Sequence, residues 1–264
     1  MKGALIYYSN TGNTKLACEY IKKHLNNIEL ELIDLKRDKP LDLSQYDLVG
    51  FAAWADYFGP SQLINEYLTH LPKQQGKPAF VFNTFGSIYG GTLKGLRDGA
   101  ARAGFKVVFA FALHTPENIP AIISKGITSG GAPNQKELEN FRTAIKELDS
   151  ICRDISAGKA VKSRVHFGPI DYLNLFPRTK ARKEMGEKFV DRDLCTKCGT
   201  CKSVCGYSAI ELSPYPVFDQ KKCYGCWACY NKCPQKAIYT KKFRGKWHYP
   251  KPNEELEKKL TQNL

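Results

Sequence analysis

The sequence has 264 residues, 42% of them apolar, which is enough for one ordinary domain and a smaller second one. Its longest apolar runs, at 48–55 and 107–113, are far shorter than the roughly 20 residues that span a bilayer. The N-terminus does not read as a signal peptide, so we expect a cytoplasmic protein without a transmembrane segment. The formal charge of +14 is uneven, with +2 in residues 1–150 and +12 in residues 151–264.

Strand and helix patterns alternate along the first 150 residues. Short β-rich or apolar runs predict five strands, at 2–9, 28–35, 46–54, 78–86 and 106–113. The second of these alternates apolar and acidic residues, as an edge strand would. Apolar residues at helical spacing predict helices at 14–25, 61–71, 91–104 and 134–155. This order implies an α/β fold with a parallel sheet covered on both faces.

The alternation stops near residue 158. We expect a domain over 1–157, a basic extended linker over 158–186, and a second small domain over 187–264 that includes a C-terminal tail. Residues 187–242 contain an internal repeat with a constant offset of 28, which aligns Cys195 with Cys223 and Ile210 with Ile238. Because a repeated unit of this size buries little core, it needs a metal to hold it together.

Eight of the ten cysteines lie in the repeat, as two runs of the form C-x₂-C-x₂-C-x₃-C. Disulfides are not expected in a reduced compartment, which leaves metal or redox chemistry. Zinc ribbons pair two C-x₂-C knuckles across a long loop, whereas three thiolates from one tight loop suit three corners of an iron–sulfur cubane. The remaining two, Cys18 and Cys152, lie in helical patterns and are expected to be small buried apolar residues.

Residues 187–242 closely resemble a bacterial-type ferredoxin with two [4Fe–4S] clusters. The resemblance implies an α+β ferredoxin-like domain in which each motif gives its fourth cysteine to the other cluster. Cluster I would then be held by Cys195, Cys198, Cys201 and Cys233, and cluster II by Cys223, Cys226, Cys229 and Cys205. Gly206 stands where the family pattern has proline, so we expect Gly206→Pro to keep both clusters and to shift mainly one potential.

The stretch that follows the first strand offers hydroxyl and backbone N–H groups where the first helix opens, which suits a phosphate. It comprises Ser9, Asn10, Thr11, Gly12, Asn13 and Thr14. It has neither the lysine of a P-loop nor a G-x-G-x-x-G pattern, which disfavours nucleoside triphosphates and dinucleotides. It resembles the FMN-phosphate loop of flavodoxins, and the whole of 1–150 resembles that family.

The flavodoxin resemblance implies a doubly wound five-stranded parallel sheet with FMN bound beyond the carboxyl ends of its strands. Trp54, Tyr57 or Phe58 would then stack on the isoalloxazine ring from the loop after the third strand. The complete predicted flavin site beyond the phosphate loop is Ala53, Trp54, Tyr57, Phe58, Thr84, Phe85, Gly86, Ser87, Tyr89 and Gly90.

Together the two halves resemble the flavodoxin–ferredoxin fusion proteins of anaerobes. The resemblance implies an electron carrier with FMN and two [4Fe–4S] clusters, in which clusters and flavin exchange electrons within a chain or across a homodimer. The alternative is an enzyme, a flavin-dependent reductase of a small substrate such as a quinone. With two clusters bound, the second half still carries about +8. We expect redox partner proteins with acidic docking surfaces, and we weigh a basic nucleic-acid binder with zinc as the weaker alternative.

Overall fold

The computed structural model describes residues 1–175 and 177–261. Phe176, in the predicted linker, and residues 262–264, at the end of the predicted tail, lie outside the described residues. The first half contains β1 (Lys2–Tyr7), α1 (Asn13–His24), β2 (Glu29–Asp34), β3 (Leu48–Asp56), β4 (Gly59–Pro60), α2 (Gln62–His70), β5 (Pro78–Phe85), α3 (Thr92–Arg102), β6 (Lys106–His114), α4 (Pro120–Ile123) and α5 (Gln135–Ser156).

Five strands of the first half form a parallel sheet in the order β2-β1-β3-β5-β6, and the short β4 pairs antiparallel with the end of β3. The predicted strands and their parallel arrangement are confirmed. The alternating strand β2 lies at the edge, as its pattern predicts, whereas β3 and β5 are central and apolar on both faces. The order reverses between β1 and β3, which places a ligand site beyond their carboxyl ends.

The sheet separates two apolar cores. On one face, alternate residues of β1 such as Leu5 pack with α1 and α5, and both Cys18 and Cys152 are fully buried in this core, as expected. On the other face, Ala4 and Ile6 pack with α2 and α3. Since neighbouring residues of a strand point to opposite faces, the continuous apolar run of β1 serves both cores.

The basic segment after α5 packs against the first half along part of its length. Near its start, the backbone N–H of Arg164 donates to the carbonyl of Val108 in β6 at 2.8 Å, and Ser163 donates its hydroxyl to the carbonyl of Val107 at 2.9 Å. A 3₁₀ helix over Pro169–Tyr172 and then α6 (Arg178–Met185) follow. The sequence did not predict α6, and this helix brings charged side chains close to the carboxyl ends of the strands.

The cysteine-rich half contains β7 (Phe189–Val190), α7 (Thr200–Ser203), β8 (Ile210–Ser213), β9 (Tyr215–Phe218), α8 (Ala228–Lys232) and β10 (Ile238–Tyr239). Strand β7 pairs antiparallel with β10, and β8 with β9. The offset of 28 also relates β7 to β9, the start of α7 to that of α8, and β8 to β10. The sequence repeat is therefore also a structural repeat, and each strand of one unit pairs with a strand of the other.

The last helix, α9 (Glu254–Thr261), packs on the first half although it follows the cysteine-rich region in the chain. Leu256 and Leu260 are buried in the same core as α1 and α5. The second half is thus attached to the first at both of its ends, by the linker and by α9. Among the described residues, no helix has the length and apolar character needed to cross a membrane.

Candidate functional site

Two cavities in the second half are each lined by four cysteines, three from one motif and one from the other. The first cavity is bounded by Cys195, Cys198, Cys201 and Cys233. The second is bounded by Cys223, Cys226, Cys229 and Cys205. These are the crossed sets that the ferredoxin resemblance implies. Within the described part of the chain no three His, Cys, Asp or Glu side chains converge closely enough to hold one metal ion, and the sulfurs instead surround a cavity.

The two cysteine loops have the same backbone shape. Lys197 and Gly199 in the first loop have positive φ angles of 59° and 76°, and Gly225 and Trp227, at the offset of 28, have 78° and 64°. Positive φ turns the chain tightly and lets a short loop present three side chains to one point. Both loops therefore share a backbone shape that brings three cysteines to the wall of one cavity.

Backbone N–H groups point at the fourth cysteine of each motif. Ala209 donates to Sγ of Cys205 at 3.4 Å, and its repeat equivalent Ala237 donates to Sγ of Cys233 at 3.3 Å. Such bonds stabilise negative charge on sulfur and tune the potential of a bound cluster. The cysteine sets, the enclosed cavities and the N–H donors all fit two [4Fe–4S] clusters.

Apolar side chains line both cavities. Ile210 and Ile238 are almost fully buried against the cysteines, and Trp227 lines the second cavity. Burial raises the pKa of the Cys226 and Cys201 thiols to about 11. Metal binding must therefore displace protons from these thiols. Cluster insertion is for this reason more favourable at higher pH than at lower pH.

Gly206 lies against the first half of the molecule. A Cβ atom at this position would lie 2.9 Å from the hydroxyl oxygen of Tyr8, a fully buried residue just beyond β1. Its φ angle is outside the left-handed region, so the backbone itself does not require glycine. Glycine is needed instead because the ring of Tyr8 approaches so closely.

We expect Gly206→Ala to leave the iron content unchanged and to destabilise the contact between the two halves by about 1–3 kcal/mol, because Tyr8 must move. The same contact with Tyr8 is a steric reason for the shift of one cluster potential that we predict for Gly206→Pro. Thermal unfolding of the cluster-loaded chain measures the effect. Tyr8→Phe in the same chain removes the hydroxyl and should restore part of the loss. If Gly206→Ala unfolds as the native chain does, the contact is not tight in solution.

A cavity of about 300 Å³ lies beyond the carboxyl ends of β3 and β5. We call it the Trp54 cavity. Seven residues of the predicted flavin site line it: Trp54, Tyr57, Phe58, Thr84, Phe85, Gly86 and Ser87. The aromatic residues and the position at the reversal of strand order suit a planar ring system.

Three residues of the predicted flavin site are not in the cavity wall. Ala53, within β3, is buried in the core on the face of α2 and α3. The ring of Tyr89 packs on Phe85, with centroids 5.0 Å apart, and so supports the wall from behind. Gly90 lies against Phe58 and the backbone of the linker.

Two parts of the wall are not among the predicted site residues. The first is the loop after β6, which contributes Thr115, Pro116, Glu117, Asn118 and Ile119. The polar stretch "HTPEN" at 114–118, where the buried strand β6 ends, was the sequence signal that could have indicated this loop. The second part is α6, which contributes Lys180 and Glu184 and gave no signal because the linker has no clear helical pattern.

Glu117 is a buried carboxylate in this wall, 6% exposed. It accepts backbone N–H bonds from Asn118 at 2.9 Å and Ile119 at 3.0 Å, and the hydroxyl of Ser87 at 2.9 Å. Burial raises its pKa, and the hydrogen bonds oppose that rise. Because its oxygens are occupied by donors from the same wall, Glu117 holds this loop in place.

The predicted phosphate loop borders the Trp54 cavity. Thr14 shares a 2.8 Å hydroxyl hydrogen bond with Thr84, and Asn118 donates its amide to the hydroxyl of Thr11 at 3.0 Å. In the described part of the chain, the backbone N–H groups of residues 10–14 meet no acceptor. The side chains on either side of Gly12, from Asn10, Thr11, Asn13 and Thr14, are at least nine-tenths buried. Such unsatisfied donors suit a phosphate group, as the flavodoxin resemblance implies.

The second half covers this loop. Asn10 donates its side-chain amide to the carbonyl of Cys226 at 3.0 Å, and Tyr249 donates its hydroxyl to Asn13 at 2.9 Å. Pro252 lies over Gly12, where an added Cβ would be 2.8 Å away. The phosphate loop and the second cysteine loop are therefore in direct contact.

A series of aromatic rings connects the Trp54 cavity with the second cysteine cavity. The ring of Trp54 lies 4.6 Å from that of Tyr8, Tyr8 lies 6.3 Å from Tyr207, and Tyr207 lies 4.4 Å from Tyr224, all between centroids. Tyr207 and Tyr224 line the second cysteine cavity. We call this the aromatic series.

A buried ion pair stands beside the aromatic series. Arg178 of α6 donates from Nε to Asp56 at the end of β3 at 2.8 Å. The guanidinium also lies 3.9 Å from the centroid of the Tyr224 ring. Burial raises the pKa of Asp56 although Arg178 opposes that rise. This pair joins the linker helix to the sheet and to the second cysteine loop.

Family models match both halves. A flavodoxin domain matches residues 4–92, and a 4Fe–4S binding domain matches residues 188–211 and 216–239. The subunit delta of an NADH-dependent phenylglyoxylate dehydrogenase from Aromatoleum evansii is 42% identical over 48 residues, which are 18% of this chain. The chain spans about half of that relative, 52% of its length.

Two further similarities cover parts of the chain. An uncharacterised ferredoxin of Methanocaldococcus jannaschii is 35% identical over 60 residues, which are 21% of this chain and 78% of that protein. A solved archaeal flavodoxin is 18% identical, with a TM-score of 0.42, over 58% of this chain and 99% of that structure. The cofactors of the two domain types are FMN and two [4Fe–4S] clusters. The second half of the chain therefore belongs to the 4Fe–4S ferredoxins and is joined to a flavodoxin domain, and the two domains together support an electron-transfer function.

Proposed function

We propose that the chain is an electron carrier in which cluster II exchanges single electrons with FMN and cluster I exchanges them with a partner protein. FMN supplies a centre that takes one or two electrons, and each cluster supplies one that takes a single electron. The contact between the phosphate loop and the second cysteine loop carries the proposal. It supports an arrangement in which the sites of two different cofactors lie against one another within one chain.

The aromatic series supports this order of the centres. Trp54 lines the proposed flavin cavity, and Tyr207 and Tyr224 line the cavity of cluster II. The ring of Tyr8, which is fully buried, lies between Trp54 and Tyr207, so aromatic contacts continue from one cavity to the other. Packed rings between two centres hold them at a fixed distance and leave less solvent to reorganise on electron transfer.

The surroundings of cluster I support an outward-facing role. Cys198 is exposed, and Arg192 and Lys197 beside it are exposed and lie over the ring of Tyr215. Exposed positive charge beside a redox site steers an acidic protein surface to it, in a manner that weakens with salt. We propose this face as the docking side for an acidic redox partner.

The test follows how electrons redistribute inside the chain. We expect that fully reduced protein, mixed anaerobically with less than one equivalent of ferricyanide, relaxes to a common distribution of electrons over flavin and clusters. Freeze-quench EPR and flavin absorbance should report the same rate, and that rate should not depend on protein concentration. Cys205→Ala, which removes a ligand of cluster II, should slow flavin relaxation strongly.

Two outcomes would contradict the proposal. A relaxation rate proportional to protein concentration would show that exchange takes place between chains. An unchanged flavin rate in Cys205→Ala would show that cluster II is not the exchanging centre. Steady-state reduction of quinones by the native chain at rates above internal exchange would favour the reductase alternative.

A further inference from the structure

The phosphate loop of this chain has no positively charged side chain of its own. Residues 9–14 supply only hydroxyl, amide and backbone N–H groups. The phosphate of FMN carries about −1.5 to −2 charges at neutral pH, as other phosphate monoesters do. The backbone donors and the helix N-terminus offset part of that charge.

A lysine from the ferredoxin domain reaches this loop. Lys232 lies at the end of α8, directly before Cys233, and its Nζ donates to the carbonyl oxygen of Thr11 at 3.0 Å. The side chain is half-buried at the interface. This contact joins residues 221 positions apart, so it depends on the packing of one domain on the other.

Lys232 has no evident role in holding a cluster. At the offset of 28, the first cysteine motif has Val204 in the equivalent position and still surrounds its own cavity. A cation is thus not part of the repeated cysteine loop. The lysine is specific to the motif that contacts the flavodoxin domain.

The charge of Lys232 is not compensated by the protein. Among the described residues, no Asp or Glu carboxylate forms an ion pair with Lys232, whereas Lys15 and Lys36 nearby pair with Glu19 and Asp34. A half-buried cation without a carboxylate partner is stabilised when an anion binds beside it.

We propose that Lys232 is a phosphate-binding residue for FMN, supplied to the flavodoxin domain by the ferredoxin domain. The inference rests on the proposed FMN site and adds a residue that recognises its phosphate. It makes the flavin site a composite of both domains. The chain then discriminates FMN from riboflavin, which lacks the phosphate, through a residue of its cluster-binding half.

The experiment titrates flavins onto the cluster-loaded, flavin-free full chain and follows the quenching of flavin fluorescence. We expect Lys232→Gln to weaken FMN binding about tenfold, in the range of one charge-assisted hydrogen bond, and to leave riboflavin binding unchanged. Lys232→Arg, which keeps the charge, should retain most of the affinity for FMN. The exposed Lys241 of the same domain provides the matched control, and Lys241→Gln should bind both flavins as the native chain does.

The iron content of each variant is measured beside the titration. Lys232→Val has the side chain that the first motif has at this position, so it keeps the clusters even if Lys232→Gln does not, and it should show the same selective loss of FMN affinity. Equal weakening of FMN and riboflavin would overturn the inference and assign Lys232 a purely structural role. An unchanged FMN affinity would also overturn it. Failure of the native chain to bind either flavin would instead contradict the proposed function itself.

Discussion

Replacing Cys195 and Cys233 together is expected to remove no more iron than replacing either alone, and to leave about half of the iron in place. The reason is that both side chains border the same cavity although they come from different motifs. By contrast, the double variant Cys195→Ala and Cys205→Ala is expected to lose nearly all of its iron. These two cysteines belong to one motif but border different cavities. A [4Fe–4S] cluster needs all four thiolates, so one lost ligand opens its whole site.

The measurement is iron and sulfide per chain after anaerobic reconstitution, with EPR of the reduced protein to show which signal is lost. The single variants Cys195→Ala, Cys205→Ala and Cys233→Ala are the controls and should each retain about half of the iron. The reverse result, in which Cys195 and Cys205 together cost no more than one cluster, would mean that each motif holds its own cluster. That outcome would contradict the crossed arrangement.

Arg178→Met is expected to destabilise the folded chain by about 3–5 kcal/mol at neutral pH, because it leaves the carboxylate of Asp56 buried without its partner. Asp56 is 4% exposed and lies at the junction of the sheet, the linker helix and the second cysteine loop. The double variant Asp56→Asn with Arg178→Met removes the unpaired charge and should recover most of the loss. The midpoints of anaerobic urea unfolding compare the three chains.

The effect of Arg178→Met should depend on pH in one direction. Burial already raises the pKa of Asp56 in the folded state, and loss of the opposing arginine raises it further. A carboxyl group whose pKa is higher folded than unfolded favours folding when it is protonated and loses that contribution as pH rises through the folded pKa. The deficit of Arg178→Met should thus be smaller near about pH 5 than near about pH 8. A deficit that grew on acidification would contradict the unpaired carboxylate as its cause.

The strand pattern of the first half could be predicted closely because it is a local property. A strand buried on both faces is continuously apolar, as in β3 and β5, and an edge strand alternates, as in β2. The helix α6 could not be predicted in the same way. Its residues are polar and basic, and contacts such as that of Arg178 with Asp56 hold it in place.

The Trp54 cavity shows the same division. The residues at the ends of β3 and β5 were predicted because the carboxyl ends of parallel strands meet at one edge. Tyr89 was placed in the site on sequence position alone, whereas in the structure it packs behind Phe85. Which face of a loop points inward depends on tertiary packing, and sequence spacing carries little information about it.

The number and spacing of the cysteines, the composition of the predicted phosphate loop and the succession of strands along the chain could be recognised in the sequence alone. Each of these is set by residues a few positions apart, because metal ligation by a loop, anion binding at a helix start and strand burial have local signatures. Three features became visible only in the folded chain: Gly206 must accommodate Tyr8, the aromatic series links two cavities, and Lys232 reaches Thr11. The contacts of Tyr8 with Gly206 and Tyr207, and of Lys232 with Thr11, join residues about 200 positions apart. They exist only because the ferredoxin domain packs on the carboxyl ends of the flavodoxin sheet.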